Sequence, residues 1–152
     1  MVLNEWDRNV KNGGCGRNYG EECFCDNAVQ TNRPKSLNWK EPGYYRFLDP
    51  AGIQMPEGST NLDNRCGADA GGWLVGKHPQ EYGVETNMTV CFDGGLVGTC
   101  NYKASITVTR CSNFYVYLLS TPPCYMSDPP NCALRYCATG TGKFRVCLAI
   151  FL

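Results

Sequence analysis

Runs of charge are missing from this chain of 152 residues: Lys and Arg total 14, Asp and Glu total 14, and neither sign gathers into a block. A surface that tracks a phosphate backbone or lies on anionic lipid needs one-sided basic charge, so neither nucleic acid nor a membrane surface is an expected partner. Long apolar runs are missing as well. The stretch Val146–Leu152 is apolar, but it falls well short of the roughly 20 residues that cross a bilayer. No membrane span is expected, and this stretch is predicted to be a strand. Histidine is scarce, His78 being the single one, and the cysteines are spread along the chain rather than gathered as ligand pairs. No metal site and no cofactor are therefore expected. An apolar leader core is also lacking, because Asn4, Glu5, Trp6 and Asp7 stand where it would lie. The sequence is thus expected to be a mature segment or a piece of a longer protein.

Cysteine, glycine and proline are present in quantity: 11 Cys, 17 Gly and 9 Pro, with 43% hydrophobic and 18% charged residues. That many cysteines point to an oxidising compartment, hence a secreted or extracellular protein. Their odd number leaves one without an intramolecular partner in a monomer, free or available to a second copy. Frequent Gly and Pro disfavour long helices. The length suits one domain with a real core.

Along the chain, a Gly-rich segment carrying Cys15, Cys23 and Cys25 leads into a polar stretch without periodicity, read as loop pinned by disulfides. Residues 1–41 are expected to pack as a cysteine-rich segment on a β module spanning 42–152. Gly43 to Leu48 reads as a strand ended by Asp49 and Pro50, and Trp73, Leu74 and Val75 as a short buried strand between glycines. Ile106 and Val108 alternate with Ser105, Thr107 and Thr109; after Arg110 the alternation resumes through Phe114, Val116 and Leu118. Two antiparallel strands joined by a short loop are predicted. The prolines from Pro122 to Pro130 predict loop as far as Cys137, with a last strand over Phe144–Leu152. The fold class is all-β, or mostly β with short helical turns, in a single disulfide-stapled domain.

No catalytic group stands out. A thiol partnered by His78 is conceivable, against the plainer reading of a surface histidine beside Pro79. Gly140, Thr141, Gly142 and Lys143 resemble the end of a phosphate loop, but Phe144 stands where a hydroxyl residue is needed, so they are read as a turn. Glu21 with Glu22, and Glu81 with Glu85, read as solvated charges. Asn87, Met88 and Thr89 form an acceptor sequon for N-glycosylation. Tyr115 and Tyr117 share the face opposite Phe114 and Val116. If exposed they suit a sugar or a protein partner; if not, they belong to a second buried sheet face.

Taken together, Gly43 Tyr44 Tyr45 Arg46 Phe47, Ala51 to Met55, and Cys66 Gly67 with Trp73 to Pro79 resemble one family. So do the later Cys91, Cys100 and Cys111, Phe114 to Leu118, Pro122 Pro123 Cys124 and Arg135 Tyr136 Cys137. That family is the cysteine-rich module found before the zona-pellucida-type domain in uromodulin and in the major glycoprotein of pancreatic secretory granule membranes. The resemblance implies disulfides Cys91–Cys100 and Cys66–Cys137, with Cys111 and Cys124 each tied back to the N-terminal cluster. Of these, Cys91–Cys100 also suits a short loop closed on itself. Cys132 and Cys147 are additional to the pattern, and Cys15, Cys23 and Cys25 are not individually assigned by it. The expected function is an extracellular recognition or adhesion module that binds a glycan or a protein. The alternative is a structural matrix or filament subunit assembling through the odd cysteine or an edge strand.

Overall fold

Met88, Val90 and Phe92 recur at every second position, as do Ala104, Ile106 and Val108, and each set turns one way into the protein. Their neighbours Asn87 and Ser105 face solvent, as the two-residue repeat of a strand requires. The computed structural model describes residues 1–12, 14–15, 23–26, 35–58, 62, 65–92, 100–123 and 134–141. The strands are β1 (Val2–Leu3), β2 (Gly43–Phe47), β3 (Ala70–Leu74), β4 (Glu85–Phe92), β5 (Tyr102–Arg110), β6 (Tyr115–Leu119) and β7 (Leu134–Tyr136). They form one seven-stranded sheet in the order β1-β2-β6-β5-β4-β3-β7.

The five middle strands pair antiparallel, while β1 and β7 add at the two edges in parallel to β2 and β3. Those edges do not stay apart. Val10 donates its N–H to the Ala138 carbonyl at 2.9 Å and Ala138 donates to the Arg8 carbonyl at 3.0 Å, so the segment after β1 pairs with the segment after β7. The sheet is therefore curled, and neither edge presents a long open ladder among the described residues. Inside the curl lie Leu3, Trp39, Tyr45, Phe47, Met55, Leu74, Phe92, Tyr117 and Tyr136. Trp39 stacks on Tyr45 with centroids 4.9 Å apart, and Phe47 meets Tyr117 edge-on at 5.2 Å. Each such side chain contributes on the order of 1.5 to 3 kcal/mol through burial.

β3 owes its place to two glycines. A Cβ on Gly72 would lie 2.6 Å from the Phe92 ring, and one on Gly71 would lie 2.6 Å from the Cys137 sulfur. Only a bare backbone passes between the sheet and the Cys66–Cys137 disulfide.

The all-β, disulfide-stapled reading holds, and the only helical segment among the described residues is one 3-10 turn, Trp6–Arg8. No helix among those residues is long and apolar enough to cross a membrane. The strands expected around Tyr44, Leu74, Ile106 and Val116 are present, the last two as an antiparallel pair. Three strands escaped the sequence: β4, whose outward face is Glu85, Asn87 and Thr89, and the short β1 and β7. β7 falls in the stretch read as loop; it forms because Ala70 and Gly71 offer Leu134 and Arg135 a parallel ladder. Trp73 is half-buried on the outward face against Leu62, Cys66 and Cys137 rather than in the main core. The predicted strand Phe144–Leu152, Glu21 and Glu22, and Gly142 with Lys143 lie outside the described residues.

Candidate functional site

The N-terminal 3-10 turn buries a charge. Arg8 is fully inaccessible, and its guanidinium donates to both Asp26 oxygens at 2.6 and 2.9 Å, to Glu5 at 2.9 and 3.1 Å, and to the Tyr136 carbonyl at 2.8 Å. Every donor of the fork is used, which is the condition for holding a guanidinium away from water. Asp26 also accepts the Tyr136 N–H at 2.9 Å, and Glu5 accepts the Asn38 N–H at 2.9 Å. Arg135, from β7, lies alongside, donating to Asp7 at 3.1 Å and to the Cys66 carbonyl at 3.1 Å.

Two guanidinium groups thus face the three carboxylates of Glu5, Asp7 and Asp26. Burial alone would raise the Glu5 carboxyl, but the adjacent Arg8 and the charge of Arg135 outweigh it and bring it from 4.5 to about 2. Burial and the neighbouring Arg8 hold Arg135 below its ordinary value.

Above this network opens a cleft of about 350 Å³, with Arg135, Asp7 and Asn38 among its lining residues and Trp6, Phe24 and Leu37 as its apolar walls. Trp6 is 59% exposed and Leu37 is 83% exposed. Among the described residues, Arg135 Nε is buried without an acceptor. The cleft combines an aromatic surface, a side-chain amide and the charged residues Asp7 and Arg135. Sequence reading missed it because its parts come from residues 5–7, 24, 37–38 and 135, brought together only by the curl of the sheet.

The other polar core group centres on His78. It is buried rather than on the surface. Its Nδ1 lies 2.5 Å from Glu57 Oε1 and its Nε2 lies 2.8 Å from the Tyr117 hydroxyl. A carboxylate only accepts, so Nδ1 carries the proton and Nε2 accepts from Tyr117, whose oxygen in turn accepts the Met55 N–H at 3.1 Å. Burial lowers the His78 pKa against the opposing pull of Glu57, which favours the neutral ring. Both ring nitrogens are occupied, leaving neither to activate a thiol. The chain of contacts joins β6 to the loops holding Glu57 and His78.

This arrangement corrects the reading of Tyr117 as a partner-binding side chain. Tyr117 is fully buried, and burial raises its hydroxyl well above the usual range. Tyr115, half-buried, packs on His78 with centroids 4.3 Å apart. Both belong to the inward face because β6 pairs Tyr117 with Val108 and Tyr45, which point to the core.

Three disulfides are formed among the described residues: Cys15–Cys23, Cys66–Cys137 and Cys91–Cys100. The last two are those the resemblance implied. Cys15 and Cys23 close on each other, so the expected ties from the N-terminal cluster to both Cys111 and Cys124 cannot form as drawn. Cys111, half-buried, carries no disulfide, and Cys124, Cys132 and Cys147 lie outside the described residues. Asp69 lies close to Cys15 and Cys23, but their sulfurs are bound to one another. Asn87 is exposed on the outward face of β4, and Glu81 and Glu85 are exposed.

A curled all-β sheet stapled by disulfides, with a polar cleft on its loops, defines a disulfide-rich β module of the kind that oxidising, extracellular compartments favour. The chain belongs to the family of uromodulin-like domains, whose family model it matches over residues 45–138. It is 36% identical over 107 residues to the pancreatic secretory granule membrane major glycoprotein of Canis lupus familiaris, covering 66% of this chain and 19% of that protein. Its likeness to the same glycoprotein of Rattus norvegicus is 32% over 99 residues, covering 62% of this chain and 17% of the relative. To uromodulin of Rattus norvegicus it is 33% identical over 96 residues, covering 62% of this chain and 14% of the relative. The chain thus spans less than a fifth of the length of these curated relatives. Residues 1–41, which supply Trp6, Arg8, Asp26 and Leu37, precede the matched segment.

Proposed function

We propose that this domain is an extracellular recognition module that takes a glycan or an extended protein segment into the cleft between Trp6 and Leu37. The observation that carries this reading is the pairing of two exposed apolar side chains, Trp6 and Leu37, with a polar lining of Asp7, Asn38 and Arg135. An indole offers a broad face for a pyranose ring or an apolar side chain, and tryptophan and arginine are the residue types that dominate binding surfaces. The charge network beneath holds Asp7 and Arg135 in place, so the site is preorganised on a rigid scaffold.

The test is a glycan and extracellular-protein screen with the native chain and with Trp6→Ala. Saturable binding weakened tenfold or more by Trp6→Ala supports the cleft; saturable binding indifferent to that change moves the site elsewhere, and no binding removes the proposal. The rival reading, a structural subunit, draws its support from the Cys111 thiol, which lies beyond the end of β5 and is available for a bridge to a second copy. Intact mass of the non-reduced protein before and after thiol alkylation separates the two. A covalent dimer that Cys111→Ser abolishes favours assembly, and a monomer favours recognition.

A further inference from the structure

The registers of four neighbouring strands place Asn87, Thr107, Leu118 and Tyr44 in one row: Asn87 pairs with Thr107, Thr107 with Leu118, and Leu118 with Tyr44. All four point outward, since Met88, Ile106, Tyr117 and Tyr45 point to the core. With strands about 4.8 Å apart the row is roughly 14 Å long. Beside it runs an open groove of about 370 Å³ with Asn87 at one lip. Its walls are Leu118 and Pro42 with the hydroxyl residues Ser105, Thr107 and Ser120, and none of the described residues lining it is charged. The Tyr44 side chain, 52% exposed, lies across the sheet to reach Glu85 at 3.2 Å, two residues before Asn87 on the same face.

We infer that Asn87 carries an N-linked glycan whose first two N-acetylglucosamine residues lie back along this groove, against Leu118 and Thr107, instead of projecting into solvent. The chemistry of the groove selects this occupant. An uncharged surface with apolar patches and hydroxyl rims suits a neutral saccharide, which presents a C–H face on one side and an N-acetyl and hydroxyls around its edge. The asparagine side chain and the first sugar together span the two strand spacings from Asn87 to Leu118, about 10 Å, and the second sugar runs on towards Tyr44. A covalent tether at the lip raises the effective concentration of the sugar, so weak contacts suffice to seat it. The sequon Asn87–Met88–Thr89 supplies the acceptor, and an extracellular protein passes the machinery that reads it. In the transfer, Asn87 Nδ2 loses a proton and bonds to C1 of the first sugar. The bond from that carbon to the pyrophosphate of a lipid-linked oligosaccharide donor breaks, and the lipid pyrophosphate leaves with the electron pair. The Trp6 cleft is made of other residues, so this inference stands apart from the proposed function.

The experiment uses the full chain secreted from glycosylating cells. Peptide mapping reads occupancy of Asn87, an endoglycosidase trims the glycan to its first sugar on the folded protein, and NMR reads contacts of the N-acetyl methyl. The expected result is a modified Asn87, lost in Thr89→Ala, with Overhauser contacts from the first sugar to the Leu118 methyls. The sugar should tumble with the domain, and Leu118→Ser should abolish the contacts while Asn87 stays modified. An unmodified Asn87, or a glycan that tumbles freely with no contact to Leu118 or Thr107, overturns the inference. Since trimming is done after folding, the reading does not depend on Thr89→Ala being stable.

Discussion

Replacing Glu5 by Gln removes one negative charge from the network around Arg8 and leaves its shape almost unchanged. The Glu5 carboxyl titrates at about 2 in the folded protein against an ordinary 4.5. At about 1.36 kcal/mol per pH unit that difference is worth about 3 kcal/mol of stability. The side chain is only 8% exposed, so solvent screens little of the interaction. The folded value is depressed, so the contribution is complete above pH 4.5 and is lost as the pH falls through about 2. Urea denaturation with disulfides intact, repeated from pH 7 to pH 2, gives the free energy of both proteins by linear extrapolation. The Glu5→Gln protein is expected to be about 3 kcal/mol less stable at pH 7, and the two curves should converge between pH 4.5 and 2. A gap that stays constant over this range, or a variant as stable as the parent at pH 7, would refute the assignment of Glu5 as a partner of the buried guanidinium.

Arg8→Met is expected to cost on the order of 3 to 5 kcal/mol by chemical denaturation, because Asp26 is left fully buried without the guanidinium it pairs with and Glu5 keeps only the more distant Arg135. Tyr117→Phe strands the Met55 N–H and His78 Nε2 and should cost about 1 to 3 kcal/mol, with no loss of the surrounding packing. His78 is held neutral by burial, so its contribution is complete above about pH 6.5 and falls as the pH drops towards its lower folded value; His78→Gln should flatten that part of the stability profile. The Cys66–Cys137 disulfide closes a loop with a sequence separation of 71, against 9 for Cys91–Cys100. Removing the first by paired substitution to alanine should cost about 4 kcal/mol and removing the second about 2.5 kcal/mol, read as a difference in denaturation midpoint at equal slope.

Alternation made β5 and β6 legible, because their inward residues are strongly apolar and their outward ones are mostly Ser, Thr and Lys on the first strand. On β6 the same pattern hid its sense: tyrosines face the core and Val116 and Leu118 face out, so composition alone pointed both ways. β4 was missed because Thr and Cys occur among its alternating positions and blur the contrast. The charge network was beyond reach of the sequence: Arg8 meets partners 18 and 128 residues away, and nothing local marks it as a core residue. His78 beside Pro79 reads as a surface loop until Glu57 and Tyr117 are brought to either side of it. Of the disulfides, Cys91–Cys100 is local enough to infer, whereas Cys15–Cys23 could not be separated from its neighbour Cys25 without the fold.

The junction between Asn9 and Ala138 has a mechanical consequence. A pull applied at these two points enters and leaves the sheet at adjacent places, so tension crosses one parallel bridge and the Arg8–Tyr136 contact instead of running through the seven strands. Behind that bridge the Cys66–Cys137 bond ties the neighbouring residue covalently to the loop before β3. Once the bridge parts, the load on the Ala138 side meets this covalent tie. The seam is therefore where such a load is first felt, with the paired strands behind it.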